Sequence, residues 1–540
     1  VSDTMTVRAD ASARVSRWLT DGQGGFHAAL RQSAAAHPDR DAVRWRDRRV
    51  DYAELERRAG LVARALVAAG AGEGDRVALL MKNRVELVEL LFGCARIGAI
   101  AVVLNWRLSG DELAVVIDDA DCRALITDPA IRPTSAYAGE LTTSPLVIEL
   151  DDAAEGATRY EDWLSATESD PEPEHAADPS TAVLLYTSGT TGRPKGVMLG
   201  HYGLWSLLSK GYEDWHMDDE SVLLCPLPAF HIGGLGWIIG SVACGSTLIL
   251  QEDADPQRII DVIESDGVTN ALLVPTLMTS MVEVQNARHA DLSSLRTIVY
   301  GGSPMTAVRL RAALDVLDAD LIQAYGLTEM TSSVTQFSPE DHRRAAHQGE
   351  VRAGETDLLR TCGRPRRGVE ITIHDPDDGH VLPAGQVGEV WINAEQRMQG
   401  YWRRPAETAE VLLPDGTLRT GDLGYFDANG YLYLVDRLKD MIVSGGENVY
   451  PGEVENVLVD HPAVADVAVV GVPHEKWVET PKAFVVLRPG ATATPDELIA
   501  YTRDRIAHYK CPTQVEFLDQ LPRNPAGKVL RRTLRARHSG

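Results

Sequence analysis

The sequence predicts an α/β protein in which sheets are sandwiched by helices, followed by a smaller α+β piece at the C-terminus. Three observations carry that expectation. Between Phe26 and Leu104 helical periodicities alternate with short apolar strands, the pattern of a sheet covered on both faces. A strand-like run, Val183 to Tyr186, opens into a loop of glycines and hydroxyls. From Asp436 to the end 14 Lys and Arg balance 14 Asp and Glu, whereas residues 1–435 hold 39 basic and 64 acidic side chains and so all of the net charge of −25.

The elements follow in order. Residues 1 to about 25 read as a loose polar arm. Then come a helix from Phe26, a two-stranded unit around Ala42 to Tyr52, and an amphipathic helix from Ala53 to Ala69. Strand Arg76 to Leu80, helix Arg84 to Ile97 and strand Ala101 to Leu104 continue the alternation. Asp151 to Pro179 is acidic and proline-containing and reads as a surface connector. Gly233 to Leu250 carries no charge, but Gly240, Ser241, Gly245, Ser246 and Thr247 interrupt it. It reads as a buried helix followed by a strand, Ser246 to Leu250, and no membrane span is expected. Gly385 to Asp440 is strand-rich with an Asn-Gly turn. The last hundred residues give helix Pro451 to Leu458, strands Val464 to Val472 and Lys482 to Leu487, and helix Pro495 to Ile506.

Composition narrows the class of function. A chain of 540 residues with 44% hydrophobic content exceeds one core, at roughly 100 to 200 residues per domain. Its acidity argues against a nucleic-acid partner, because a net negative surface is repelled by backbone phosphates. Six cysteines without C-x-x-C spacing suggest neither disulfides nor zinc. With no apolar leader at the N-terminus, a cytoplasmic location is expected. The tail is locally basic, with Arg523, Lys528, Arg531, Arg532, Arg535 and Arg537 and no acid after Asp519. Its arginines read as a solvated surface.

The loop after Tyr186 runs Thr187, Ser188, Gly189, Thr190, Thr191, Gly192, Arg193, Pro194, Lys195, Gly196. Glycines let N–H groups turn inward, hydroxyls add donors and Lys195 adds charge, as wrapping a polyphosphate requires. Gly192 is not followed by Lys-Ser/Thr, so this is not the P-loop of the common NTPases. Further along, His231 lies between an aromatic residue and the Gly233-Gly234 pair in PLPAFHIGGLGW. Gly233, Gly234, Gly236 and Gly240 leave room beside a helix on which Trp237 is bulky, so Trp237 is expected to wall or gate an apolar pocket. In VYGGSP an apolar strand ends at Gly301 and Gly302, where a flat group can lie against bare backbone, followed by Ser303. QAYGLTE, Gln323 to Glu329, offers a stacking face on Tyr325, a hydroxyl on Thr328 and a hard oxygen ligand for Mg²⁺ on Glu329. Asp422, in TGD, has two acceptor oxygens at a spacing suited to a ribose diol.

The stretch Tyr186 to Val197, YTSGTTGRPKGV, resembles the signature of the adenylate-forming ligases, and the other motifs extend the match from about residue 26 to about residue 534. The resemblance implies a large N-terminal domain (1–435), a hinge (436–439, with Lys439) and a small mobile C-terminal domain (440–540). It implies that the loop holds the β- and γ-phosphates of ATP. Gly301, Gly302 and Ser303 would meet adenine and the acyl group, with Gln323, Tyr325, Gly326, Thr328, Glu329, Asp422 and Arg437 completing the nucleotide site. His231, with Gly233, Gly234, Trp237 and Gly301, would line the acyl pocket. Ser444, Gly445, Gly446 and Glu447, flanked by Trp477, would meet CoA, and Lys528 would complete adenylation. One departure is Gly200-His201-Tyr202, where the family often has a basic residue beside the histidine. The implied activity is that of an acyl-CoA synthetase for an apolar carboxylic acid, with ATP, Mg²⁺ and CoA. Transfer to a separate carrier protein or partner enzyme, and a luciferase-like oxygenase, share the same motifs. A homodimer is left open.

Overall fold

The computed structural model describes residues 25–131, 137–151, 158–169, 181–187, 194–303, 305, 307–347, 357–444, 447–474, 477–523 and 529–538. The fold is α/β. The chain forms two compact units, one of Val1–Glu370 and Asn393–Leu418, the other of Ile371–Ile392 and Arg419–Gly540.

The first unit is built on two large sheets. In the eight-stranded sheet the order is Gly400–Tyr401, Lys195–Gly200, Thr181–Thr187, Ile100–Val103, Arg76–Leu80, Ala124–Thr127, Leu146–Glu149, Thr158–Arg159. It is parallel from Thr181–Thr187 to its far edge, while Lys195–Gly200 and Gly400–Tyr401 are added antiparallel. The nine-stranded sheet runs Arg364–Pro365, Ser332–Phe337, Asp320–Leu327, Thr297–Gly301, Asn270–Leu273, Val222–Cys225, Thr247–Leu250, Asp41–Trp45, Arg48–Asp51. Its interior is parallel and its edges antiparallel. Such sheets need helices on both faces.

Helix Val85–Arg96 shows why. All its residues are buried, and it packs on Ile100–Val103 of one sheet and Asp41–Trp45 of the other. A helix enclosed all round must satisfy every charge it carries. Glu86 meets Arg84 at 2.6 Å and Arg48 at 2.5 Å, Glu89 meets Arg58 at 2.5 Å, and Arg96 meets Glu56 at 2.5 Å. Tyr160 donates to the second oxygen of Glu89 at 2.8 Å.

That tyrosine corrects an expectation. Asp151 to Pro179 was expected as a surface connector, yet it contains helix Tyr160–Ser165, which buries Tyr160, Trp163 and Leu164. An acidic, proline-containing composition masks three apolar anchors at helical spacing. The basic tail differs too. Arg523 pairs with Asp466 at 2.6 Å, Arg531 with Glu455 at 2.5 Å and Arg535 with Asp440 at 3.1 Å. Arg531, only 20% exposed, braces the second unit, whereas Arg523, Arg532 and Arg537 are exposed as expected. Predicted elements otherwise recur with shifts of a few residues at their ends, as with Tyr52–Ala68, Val85–Arg96, Ile232–Cys244 and Pro495–Arg503.

The second unit holds most of a four-stranded sheet, Val369–His374, Gly388–Ala394, Thr417–Phe426 and Leu432–Arg437. It also holds a five-stranded one, in which Glu447–Val449, Ile442–Ser444, Val478–Leu487 and Val464–His474 follow one another and Gln514–Phe517 pairs Val478–Leu487. Asp436 ties the unit together: its carboxylate accepts from the Gly452 N–H at 2.7 Å, at the start of helix Pro451–Val459. Burial raises the Asp436 pKa to about 6.

Two histidines of the first unit are held neutral. The His342 Nδ1–H donates to the Ser338 carbonyl at 2.8 Å and its Nε2 accepts from the Tyr300 hydroxyl at 2.9 Å. His201 Nδ1 accepts from the Phe26 N–H at 3.3 Å. Burial lowers both pKa values to about 4. Between the ordinary value of about 6.5 and about 4 the unfolded chain binds protons that the folded one refuses, so stability is full above about pH 6.5 and is lost as pH falls toward 4, by up to roughly 3 kcal/mol per group. Thermal unfolding across pH 7 to 4 should therefore show a falling midpoint, and His342→Gln should make that fall shallower while lowering stability at pH 7.

Candidate active site

The strands on either side of the stretch expected to wrap a polyphosphate are paired. Thr181–Thr187 and Lys195–Gly200 pair antiparallel, with Thr187 opposite Lys195 and Tyr186 opposite Gly196. Gly196 sits tightly, since a Cβ would stand 3.0 Å from the Tyr186 ring and 3.3 Å from Trp402 Cβ, so its neighbours would have to give way to a side chain. Tyr186 donates to Asp119 at 2.8 Å. Thr187 and Lys195 thus flank the mouth of the loop. Ser188, Gly189, Thr190, Thr191 and Gly192 lie outside the described residues.

Lys195 points its ammonium at the face of Tyr401, 4.9 Å from the ring centroid. The Tyr401 hydroxyl donates to Glu329 Oε1 at 2.9 Å. Lys195 belongs to the eight-stranded sheet and Glu329 to the short helix Thr328–Met330 that ends a strand of the nine-stranded sheet. One phenol therefore joins the loop lysine of one sheet to the carboxylate of the other. The backbone repeats the link: Met398 N–H donates to the Glu329 carbonyl at 2.7 Å and Trp402 N–H to the Gly196 carbonyl at 2.8 Å. The Tyr401 N–H donates to Thr408 Oγ1 at 2.9 Å. Tyr401 was not singled out from sequence; it lies in the run Gln399-Gly400-Tyr401-Trp402. The readable signal was the aromatic pair Tyr401-Trp402 behind a glycine; in the fold Gly400, at φ +141°, and Tyr401 form a two-residue strand.

Beside it lies a bare floor. Gly301 and Ala324 are cross-strand partners, and a Cβ on Gly301 would fall 2.2 Å from the Ala324 carbonyl oxygen. At Gly326, next to a register shift, a Cβ would fall 1.6 Å from the Ser332 oxygen. Gly302 has φ +82° and open space where a Cβ would point. Gln323, Tyr325 and Thr328 are half-buried along this strand end, and Ser303 is exposed. Glu329 is half-buried with one carboxylate oxygen engaged by a neutral phenol. A carboxylate so placed fits a hard cation such as Mg²⁺.

The glycine-rich helix Ile232–Cys244 starts at His231, its N-cap, whose ring lies 4.5 Å from Phe230. The glycines are not equivalent. A Cβ at Gly234 would stand 2.4 Å from the Pro228 carbonyl oxygen and one at Gly240 2.8 Å from Leu208, so these two serve close packing. Gly233 and Gly236 would meet only Leu272 and Leu207, at 3.6 and 3.7 Å. Trp237 is buried.

In the second unit Asp422 and Arg437 face each other across adjacent strands, and Arg437 Nε meets Asp422 Oδ1 at 2.5 Å. Asp422 is buried, while the Arg437 side chain is 44% exposed. Lys439 follows in the short helix Leu438–Asp440 and is exposed. Ser444 pairs with both Glu447 and Val478. Trp477, one residue before that partner, stacks on His474 at 4.6 Å. Ser444, Glu447 and Trp477 thus share one sheet edge. Gly445, Gly446 and Lys528 lie outside the described residues.

Residues 30–402 match the AMP-binding enzyme family and residues 453–528 the AMP-binding enzyme C-terminal domain. The chain is 39% identical to a fatty acid–[acyl-carrier-protein] ligase, ScoC, of Streptomyces coeruleorubidus, over 94% of this chain and 95% of that protein. It is 38% identical to a feruloyl-CoA synthase of an Amycolatopsis species, over 93% and 97%. Among solved structures, the amide bond synthetase McbA of Marinactinospora thermotolerans superposes with a TM-score of 0.84 at 34% identity, over 95% of this chain and 99% of that one. With both its regions matched and such relatives aligned along nearly their whole length, the chain belongs to the AMP-binding, adenylate-forming enzyme family.

Proposed function

We propose that this protein is an acid–thiol ligase that converts a carboxylic acid and ATP to acyl-adenylate and pyrophosphate, then passes the acyl group to the thiol of CoA. The observation that carries this reading is the Lys195–Tyr401–Glu329 arrangement at the mouth of the phosphate hairpin. A carboxylate is inert to acyl transfer because oxide is a poor leaving group; adenylation replaces oxide with AMP. Attack of the carboxylate on the α-phosphorus brings two anions together, so the protein supplies charge and alignment.

In this reading Thr187 to Gly192 and Lys195 hold the β- and γ-phosphates, while Gly301, Gly302, Ser303, Gln323, Tyr325, Gly326 and Thr328 hold adenine and the α-phosphate. Asp422 takes the ribose diol with Arg437 beside it, and Glu329 would hold Mg²⁺, whose chemistry is neutralisation of phosphate charge. His231, Gly233 and Trp237 line the acyl site. Lys528 adds a cation for the first half-reaction; Ser444, Gly445, Gly446, Glu447 and Trp477 receive the thiol in the second, with Lys439 at the hinge of residues 436–439 between domains 1–435 and 440–540. No described helix is long and apolar enough to cross a membrane. A carrier-protein thiol is the second reading for the acceptor, favoured by the carrier-protein ligase among the relatives.

Pyrophosphate release over acids of graded size, with and without CoA, tests the whole; an acid-independent signal or none at all refutes it. Lys528→Ala should cut acid-dependent pyrophosphate release on the order of 10²-fold or more, yet still turn supplied acyl-adenylate and CoA into thioester. Tyr401→Phe removes the hydroxyl from Glu329 and keeps the ring under Lys195. It should lower kcat/KM for ATP by roughly 10- to 100-fold, the worth of a hydrogen bond to a charged group, with little change in melting temperature.

A further inference from the structure

Two neighbouring buried indoles each carry an N–H with no acceptor among the described residues. Trp237 is 2% exposed and Trp215 5%, and their ring centroids lie 6.0 Å apart at 36°. Neither Nε1 has a hydrogen-bond partner among the described residues. Buried indoles normally find one, because a dry N–H forfeits its hydration for nothing.

The surroundings offer packing and no acceptor. The Arg366 guanidinium covers Trp215 at 5.0 Å. Each of its three nitrogens is engaged, Nε and Nη2 donating to Asp214 Oδ2 at 3.0 and 2.9 Å and Nη1 to Ser333 Oγ at 2.7 Å. Trp215 also leans on Gly211, where a Cβ would stand 2.9 Å from the ring. A cation fixed on one ring face by a carboxylate makes that indole a rigid platform.

Position connects the pair to the acyl site. Helix Ile232–Cys244 packs on strands Val222–Cys225, Asn270–Leu273 and Ser332–Phe337 of the nine-stranded sheet. Asn270 Nδ2 donates to the Trp215 carbonyl at 3.0 Å. Gly233 lies one turn before Trp237 on the same helix face, and long helical side chains lean back over that preceding turn. The strand beside Asn270–Leu273 ends at Gly301, whose cross-strand partner is Ala324.

We propose that the Trp215 and Trp237 N–H groups form the polar far end of the acyl site, and that the acid activated here carries a hydrogen-bond acceptor, a keto, ether or phenolic oxygen, remote from its carboxylate. This rests on the reading that the helix starting at His231 lines the acyl site. A plain hydrocarbon acid would leave both donors dry, and a site built to hydrogen-bond discriminates against a ligand that lacks the partner.

The test uses the full chain and matched acids: cinnamic, phenylpropanoic and decanoic acid frameworks, each as a hydrocarbon and with one methoxy or keto oxygen away from the carboxylate. Pyrophosphate release gives kcat and KM for each. On the best framework, the wild type should favour the oxygenated acid by about tenfold or more in kcat/KM. Trp237→Phe and Trp215→Phe keep an aromatic ring and remove the N–H. Each should shrink that preference by roughly three- to tenfold, mainly through KM for the oxygenated acid, as expected for one hydrogen bond. Circular dichroism shows whether each variant is folded, and either folded variant suffices. Equal use of both members of every pair by the wild type, or an unchanged ratio in a folded variant, overturns the inference and leaves adenylation standing. Release of pyrophosphate with no acid at all in the panel overturns adenylation, and the inference with it.

Discussion

The site depends on one contact, the Tyr401 phenol held between a lysine and a carboxylate. Each of its two neighbours comes from a different sheet, and neither sheet alone could set their spacing. Ring face and hydroxyl serve different ends: the face attracts the ammonium through its quadrupole, and the hydroxyl occupies one carboxylate oxygen. A neutral mediator lets a cation and an anion lie near each other without collapsing into a salt bridge. Both charges then remain available to a polyanionic ligand and its counterion. The two-residue strand Gly400–Tyr401 exists to deliver that ring, being paired on Lys195–Gly200 and latched by Thr408.

The second unit is stiffened by charge more than the first impression of its tail allows. Arg531 reaches Glu455, Arg535 reaches Asp440 and Lys510 reaches Glu453 at 2.8 Å. Asp436 caps the helix that begins at Pro451. The ends of the loop between Arg523 and Val529 are bridged to each other.

Much of this was legible beforehand, for reasons that differ by element. Helix Val85–Arg96 and strand Arg76–Leu80 announce themselves by periodicity, because local sequence and burial agree there. The hairpin flanking the phosphate loop was readable from a strand that breaks into glycine and hydroxyl residues. Tyr401 was not, because its importance lies in a contact with residues about 70 and 200 positions away. The burial of Tyr160 and Trp163 was hidden inside an acidic stretch, and the ion pairs of the C-terminal arginines depend on partners that only the fold brings near. The four helix glycines looked alike in sequence; the structure divides them into two that permit close packing and two that leave ordinary contact.

The bare floor formed by Gly301 and Gly326 has a bearing on how such a site changes over generations. Backbone oxygens stand where any larger residue at those two positions would put its first carbon, so that side is closed to substitution. On the proposed reading, in which the helix that begins at His231 lines the acyl site, diversity in the acids taken enters through that helix. A mutagenesis library aimed at a new acid would waste its members on the strand ends and find its variants on the helix.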